Sequence, residues 1–352
     1  MAVPAAVGLA ELERNSDTLA STLQVQAVRV VRDRGRADRA SITIVQRDPL
    51  LEPTLRWPLA DTRQASVWEP VPVGVDEDGQ PVTISLPYRN VLVGGEPGGG
   101  KSVAVSQLLA VAALDPTADL WLLDGKRVEL GVWRDAATAF VDTSLDDAIE
   151  VLHRLRAVID QRLDWLDSQP GVRRKITRAD DRRVQVLVCD EYAFYTTTGD
   201  RRQVKEFEAA FTDLVARGRA VGVVTILATQ KPHSDVISTG LRDLFAFRWA
   251  LRCTTPQASD TVLGQGWATR GYNAAELDPA CPGVGWLLHE LGLPVRAVRT
   301  TSTTTRSSNS PPPLSCCAAR FVAPNRGRVS GDGRHPRRAL HHAGSAAAGR
   351  GR

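Results

Sequence analysis

The 352-residue chain has no apolar run near the ~18–20 residues that a membrane-spanning helix needs. Its first residues, MAVPAAVGLAELE, contain no basic n-region, which argues against a secretory signal. The five cysteines (Cys189, Cys253, Cys281, Cys316 and Cys317) show neither CxxC nor any other metal-ligand spacing. That excludes a disulfide-stapled scaffold and fits a reducing compartment, so a cytoplasmic location is expected. His153, His233 and His289 also lack ligand spacing, which argues against a zinc-type centre. No internal repeat is detectable.

Positive charge is scarce where it would matter. The formal net charge is +4, but residues 301–352 hold nine arginines and a single acid, Asp332. That segment alone is +8, which leaves −4 for the first 300 residues. A globally basic footprint for nucleic acid is therefore absent there, and any such contact must come from a local patch. Lysine is rarer still, with five among 44 basic residues (Lys101, Lys126, Lys175, Lys205 and Lys231).

What is present is ordinary globular composition, 43% hydrophobic and 24% charged, on a chain long enough for one large or two medium domains. Three zones are legible. Residues 1–65 predict a small α+β region: a helix over Ala10–Thr22, then two extended runs, Gln26–Val31 and Ser41–Gln46, joined by a turn at Gly35. Residues 66–300 alternate strand and helix signals, the pattern of an α/β domain with a mostly parallel sheet. Residues 301–352 turn to TTSTTTRSSNSPPP and then to Arg-, Gly- and Ala-rich sequence, which predicts a disordered tail. So abrupt a change is also what a shifted reading frame would produce.

In the middle zone, Asp78-Gly79 predicts a tight hairpin turn. Strands are expected at Asn90–Val93, Leu120–Leu123, Val184–Cys189, Val221–Ala228 and Ala246–Cys253. Helices are expected over Ser102–Leu114 and Leu145–Leu166, and along the face formed by Val204, Phe207, Phe211, Leu214 and Val215.

Three motifs carry chemistry. Gly95-Glu96-Pro97-Gly98-Gly99-Gly100-Lys101-Ser102 matches GxxxxGK[ST] between an apolar strand and an apolar helix. Gly95, Gly98, Gly99 and Gly100 let the backbone wrap phosphates, Lys101 neutralises β/γ-phosphate charge, and Ser102 holds Mg²⁺. ATP and Mg²⁺ are the expected cofactors. Val186-Leu187-Val188-Cys189-Asp190-Glu191 reads as a buried strand ending in two acids. Asp190 is then a Mg²⁺ ligand and Glu191 the general base for the attacking water. Val221–Ala228 runs into Thr229-Gln230-Lys231-Pro232, where Gln230 can touch both the γ-phosphate and the lytic water.

Arg217, Arg219, Arg248 and Arg252 are candidates to stabilise phosphate charge across a subunit boundary, Arg248 first because it sits between apolar neighbours in FAFRWAL. Against this, arginine replaces lysine nearly everywhere in the chain. Lys126, in LLDGKRVEL, follows a strand end and borders either the nucleotide or a substrate path; an exposed turn is the plainer reading.

NVLVGGEPGGGKS, LLDGKRVEL, VLVCDEY, ARGRAVGVVTILATQKP and SDVISTGLRDLFAFRWALRCTTPQASDTVLG occur in the order and spacing of the FtsK/SpoIIIE motor domain. The chain resembles that family from about Glu69 to His289, in the manner of actinobacterial conjugative-element transfer proteins. The resemblance implies a RecA-like P-loop ATPase and a homo-hexameric ring that moves double-stranded DNA. It also implies nucleotide and Mg²⁺ on Lys101 and Ser102, the acidic pair at Asp190 and Glu191, a sensor at Gln230, and Arg248 at a subunit interface. A membrane-bound partner is compatible with it. There are departures: Pro97-Gly98-Gly99-Gly100-Lys101-Ser102 stands for the usual Thr-Gly-Ser-Gly-Lys-Ser, Asp124-Gly125-Lys126 for Asp-Pro-Lys, and Asp260 where many relatives have arginine. No winged-helix module for reading DNA sequence is recognisable in the tail. Two alternatives stay open: a protein-secretion ATPase of the same motor type, and a truncated, inactive relative.

Overall fold

A computed structural model of the chain describes residues 8–33, 35, 39–51, 56–289 and 292–299. The Arg-rich tail lies outside them, as does most of the turn around Gly35.

The first elements are α1 (Leu9–Arg14), α2 (Ser16–Leu23), β1 (Ala27–Arg32) and β2 (Ala40–Val45). The single expected helix is in fact two, broken at Asn15, whose backbone (φ −96°, ψ 9°) leaves the helical well. β1 and β2 pair antiparallel as expected.

The rest builds one ten-stranded sheet. Its strands are β3 (Val71–Asp76), β4 (Pro81–Ile84), β5 (Val91–Gly94), β6 (Ala118–Asp124), β7 (Ala139–Val141), β8 (Val184–Asp190), β9 (Val223–Thr229), β10 (Phe247–Leu251), β11 (Val284–Leu288) and β12 (Val295–Arg299). Their spatial order is β4-β3-β12-β11-β10-β5-β9-β8-β6-β7. From β10 to β7 every neighbour is parallel; from β10 to β4 every neighbour is antiparallel. β7, β11 and β12 were not foreseen from sequence. They are short strands of three to five residues, and β11 and β12 also pair with β10 and β3, which lie far away in the chain. The Asp78-Gly79 hairpin forms between β3 and β4, where the Asp76 carboxylate accepts from the N–H groups of Asp78 (2.9 Å) and Gln80 (2.8 Å).

The parallel strands are apolar on both sides because both faces are covered. Side chains alternate between two cores with period two. Val91, Val93, Leu120, Leu122, Val186, Val188, Val224 and Ile226 point to the face covered by α3 (Lys101–Leu114). Leu92, Trp121, Leu123, Leu187, Cys189, Val223 and Leu227 point to the opposite face, where α4 (Leu145–Ser168) and α6 (Arg201–Gly218) pack. α3 is buried nearly all round, as its unbroken run of Ala, Val and Leu requires. α4 and α6 each present one apolar stripe and begin with a side-chain cap, Ser144 onto the N–H of Asp147 and Asp200 onto those of Arg202 and Gln203. The described residues also hold three short α-helices, α5 (Tyr192–Thr197), α7 (Thr239–Arg242) and α8 (Pro256–Leu263).

Two buried polar side chains knit the ends of strands. Asn90 donates to Val215 O (2.9 Å) and accepts from Thr225 N (2.9 Å). Arg162 donates to Val221 O (2.7 Å) and Arg183 O (2.7 Å), and its burial pushes the guanidinium down to about 10.

Candidate active site

Strands β5, β8 and β9 are adjacent and parallel, so their C-terminal ends share one edge of the sheet. Three expected motifs leave from those ends. After β5 the chain turns through Gly95–Gly100 into α3. Gly98 (φ +80°) and Gly100 (φ +101°) sit in left-handed conformations that a side chain would strain. The loop is tied from outside: Glu96 N donates to Arg252 O (2.8 Å) and Gly283 N to Gly99 O (3.0 Å). The Arg252 guanidinium also forms an ion pair with the Glu96 carboxylate. The helix start thus aims its first-turn N–H groups at the loop's concave side, an arrangement suited to phosphate.

Lys101 is buried and ion-paired with Asp190 at the tip of β8. Burial outweighs that ammonium and raises the Asp190 carboxyl above its ordinary value. Asp190 Oδ2 is buried with no hydrogen-bond partner among the described residues. A buried carboxylate oxygen without a donor, one residue type that coordinates Mg²⁺, fits that ion together with the hydroxyl of Ser102 at the start of α3. Mg²⁺ held there would neutralise charge on the β- and γ-phosphates.

Glu191 follows in a left-handed conformation (φ 57°), uncommon for a residue with a side chain. Its carboxylate is gripped from two sides. Thr229, at the end of β9, donates its hydroxyl to Oε1 at 2.9 Å. Lys126 forms an ion pair with Oε2 at 2.6 Å, and the Gln230 N–H reaches both oxygens at 3.3–3.4 Å. Burial alone would push this carboxyl up. The Lys126 ammonium, the Thr229 hydroxyl and Lys101 together hold it below its ordinary value. Two adjacent acids are thus driven in opposite directions, Asp190 by burial and Glu191 by its cation and hydrogen-bond partners. Cys189, one residue earlier, is fully buried; burial and the neighbouring acids push its thiol up, which leaves it a protonated core residue.

The structure therefore brings together the phosphate loop, Lys101, Ser102, Asp190, Glu191 and Gln230. It does not bring Arg248 to them. Arg248 lies in β10 opposite Leu92, its guanidinium 3.5 Å from Asp243, and burial with nearby Arg242 lowers it despite that acid. Arg217 is spoken for by Asp213 (2.6 Å) and Asp160 (2.7 Å). Arg219 is exposed at the end of α6. Asp260 braces a turn, accepting from Gly266 N (2.9 Å) and Ala268 N (2.8 Å).

Three contributors were missed in sequence. Thr229 has no signal of its own beside Gln230; the register of Asp190 with Ala228 sets it beside Glu191. Asp124, fully buried, organises the Lys126 loop by accepting from Lys126 N (3.3 Å) and Leu130 N (3.1 Å). The Glu96–Arg252 brace joins residues too far apart in the chain to suggest each other.

A RecA-like sheet with a phosphate loop, a buried Lys–Asp pair and a tethered glutamate on one edge defines a P-loop ATPase. The FtsK/SpoIIIE family profile matches residues 57–265, more than half of the chain, and the chain belongs to that family. It is 26% identical over 219 residues to a DNA translocase FtsK of Staphylococcus aureus, covering 57% of this chain and 27% of that protein. It is 29% identical over 265 residues to the protein Tra of Streptomyces lividans, covering 71% of this chain and 40% of that one. The chain thus spans well under half the length of these relatives. Among solved structures, the pCW3 conjugation coupling protein TcpA in its monomer form with ATPγS aligns with a TM-score of 0.61, 21% identity and coverage of 84% and 82%. The cytoplasmic domain of the Thermomonospora curvata type VII secretion ATPase EccC aligns at 0.53, 22% identity and coverage of 72% and 31%. Both likenesses concern the fold. Among the described residues no helix is long and apolar enough to cross a membrane.

Proposed function

We propose that this chain is the ATP-hydrolysing motor of a double-stranded DNA translocase, acting as a homo-hexameric ring in the transfer of a conjugative element. The observation that carries the hydrolytic half is Glu191, tethered through Thr229 one residue beyond the Lys101–Asp190 pair. In this reading Lys101 and the loop N–H groups hold the phosphates, and Asp190 with Ser102 holds Mg²⁺. Glu191 takes the proton of the attacking water while Gln230 orients it. The DNA half is supported by the named activities of the sequence relatives, a DNA translocase and a Tra protein.

A local basic patch supports it further. Tyr88, Arg89, Arg174, Lys175 and Arg219 line a hollow at the start of β5, at the opposite end of that strand from the phosphate loop. On a body that is otherwise net acidic, such a patch suits a phosphate backbone or the nucleotide of a neighbouring copy. Arg219, exposed on that patch, is better placed than Arg248 to act across a subunit boundary. The ring works on the cytoplasmic side, where a membrane-bound partner can hold it.

The test is the steady-state ATPase rate with and without linear double-stranded DNA, at low and moderate salt, beside Glu191→Gln. Stimulation by DNA that weakens with salt and is absent in Glu191→Gln is the expected result. The net −4 of the first 300 residues favours a protein-secretion ATPase as the second reading; turnover indifferent to DNA would select it. No turnover in the wild type would select the inactive relative.

A further inference from the structure

Lys126 reaches into the site but is left unused by the phosphate-loop chemistry. Its side chain is 28% exposed, yet Nζ itself is buried, 2.6 Å from Glu191 Oε2. The opposite oxygen, Oε1, is already anchored by Thr229 at 2.9 Å. Glu191 is only 7% exposed, and at Oε2 Lys126 Nζ lies closer than the Gln230 N–H at 3.3 Å.

The segment carrying Lys126 is anchored firmly at its ends and more lightly between them, where Asp124 accepts from Lys126 N (3.3 Å). At one end Gly125 N donates to Asp190 O (3.3 Å). A Cβ at Gly125 would come within 2.9 Å of Phe194 Cβ and 3.2 Å of the Asp190 and Glu191 carbonyls, so only glycine lets the loop lie this close to the acids. At the other end Leu130 is buried and held by Asp124. Between them Arg127 takes a left-handed conformation (φ 64°), and Val128 is 77% exposed. Arg127 is held there by an ion pair with Asp142 at 3.2 Å, a solvent-exposed and therefore weak tether, so movement of the loop would release the strain at small cost.

We propose that Lys126 is a positioning residue of the hydrolytic centre: it caps Oε2 of Glu191 and withholds the base until the loop 125–130 moves. The inference rests on the ATPase reading above. Thr229 then keeps Glu191 on station, and withdrawal of Lys126 opens the oxygen that accepts the proton.

Lys126→Met and Lys126→Arg are compared with wild type and Glu191→Gln in the absence of DNA. Turnover, KM, affinity for a non-hydrolysable ATP analogue and melting temperature are measured for each. Lys126→Met is expected to raise kcat about threefold or more, as freeing a general base does, with analogue affinity within about twofold. Lys126→Arg, which keeps a cation on Oε2, is expected to restore the wild-type rate. If the methionine variant does not fold, Lys126→Gln takes its place. A kcat that falls or does not move overturns the proposal. So does analogue binding weakened about tenfold, which would make Lys126 a phosphate ligand. An arginine variant that behaves like methionine overturns it too. A wild type no more active than Glu191→Gln would instead sink the ATPase reading itself.

Discussion

Replacing Thr229 by valine tests the tether on Glu191, the proposed catalytic base, with little change of shape. Thr229 is fully buried, and valine fills nearly the same volume, so no cavity opens. What disappears is the hydroxyl that donates to Glu191 Oε1 at 2.9 Å and accepts from Lys231 N at 3.1 Å. A hydrogen bond to a charged group contributes about 1.5–3 kcal/mol. If that energy fixes Glu191 for proton transfer, its loss lowers kcat by roughly 10- to 100-fold, at about 1.4 kcal/mol per factor of ten. Nucleotide affinity should hold, because the contact of this residue with the phosphate loop is Gly95 N to its backbone carbonyl (3.3 Å), which valine keeps. Steady-state hydrolysis and a fluorescent-nucleotide titration separate the two effects, with Thr229→Ser as the control that retains the hydroxyl. A valine variant of unchanged melting temperature whose kcat stays within about twofold of wild type would refute the reasoning. The sign is opposite to that expected for Lys126→Met, so the two oxygens of one carboxylate are tested independently.

Lys101→Ala should abolish nucleotide binding and also destabilise the fold by about 3–5 kcal/mol, because it strands the buried Asp190 charge; thermal melts of Lys101→Ala and the double variant Lys101→Ala/Asp190→Asn check this, the second being the more stable. Asp180 accepts from the N–H and hydroxyl of Thr177 at 2.7 and 2.9 Å, and these bonds, with Arg173 and against burial, lower its carboxyl. A depressed folded value means stability that is present at neutral pH and lost as pH falls through that lowered value. Asp180→Asn should therefore cost about 1 kcal/mol near pH 7 and nothing in strong acid, measured by denaturation across pH. If Arg219 acts across the boundary of the proposed ring, Arg219→Ala should lower turnover by about 10³-fold with nucleotide binding intact, as loss of a trans arginine does. Arg248→Ala, which removes the partner of Asp243, should mainly lower the melting temperature; the reverse outcome would assign the trans role to Arg248.

Much of this protein is written locally. Gly95–Ser102 is legible because a phosphate-wrapping turn needs glycines and a lysine at fixed offsets, whatever surrounds it. Val186–Glu191 is legible because a strand covered on both faces must be apolar until the sheet edge, where acids can begin. The same logic of unbroken apolar runs placed β5, β6, β8 and β9 to within a residue or two. It failed for β11 and β12, short antiparallel strands inside the sheet that carry little pattern of their own. It failed also at Asn15, where a weakly apolar helix breaks in two. Only the tertiary structure decided what the motifs do to each other. Register set Thr229 beside Glu191, a glycine's lack of Cβ let Lys126 lie on the same carboxylate, and the turn after β10 put Arg252 against Glu96. Those contacts join residues from 38 to 156 positions apart. Their energy comes from burial and mutual geometry, which a linear reading of residue types does not contain.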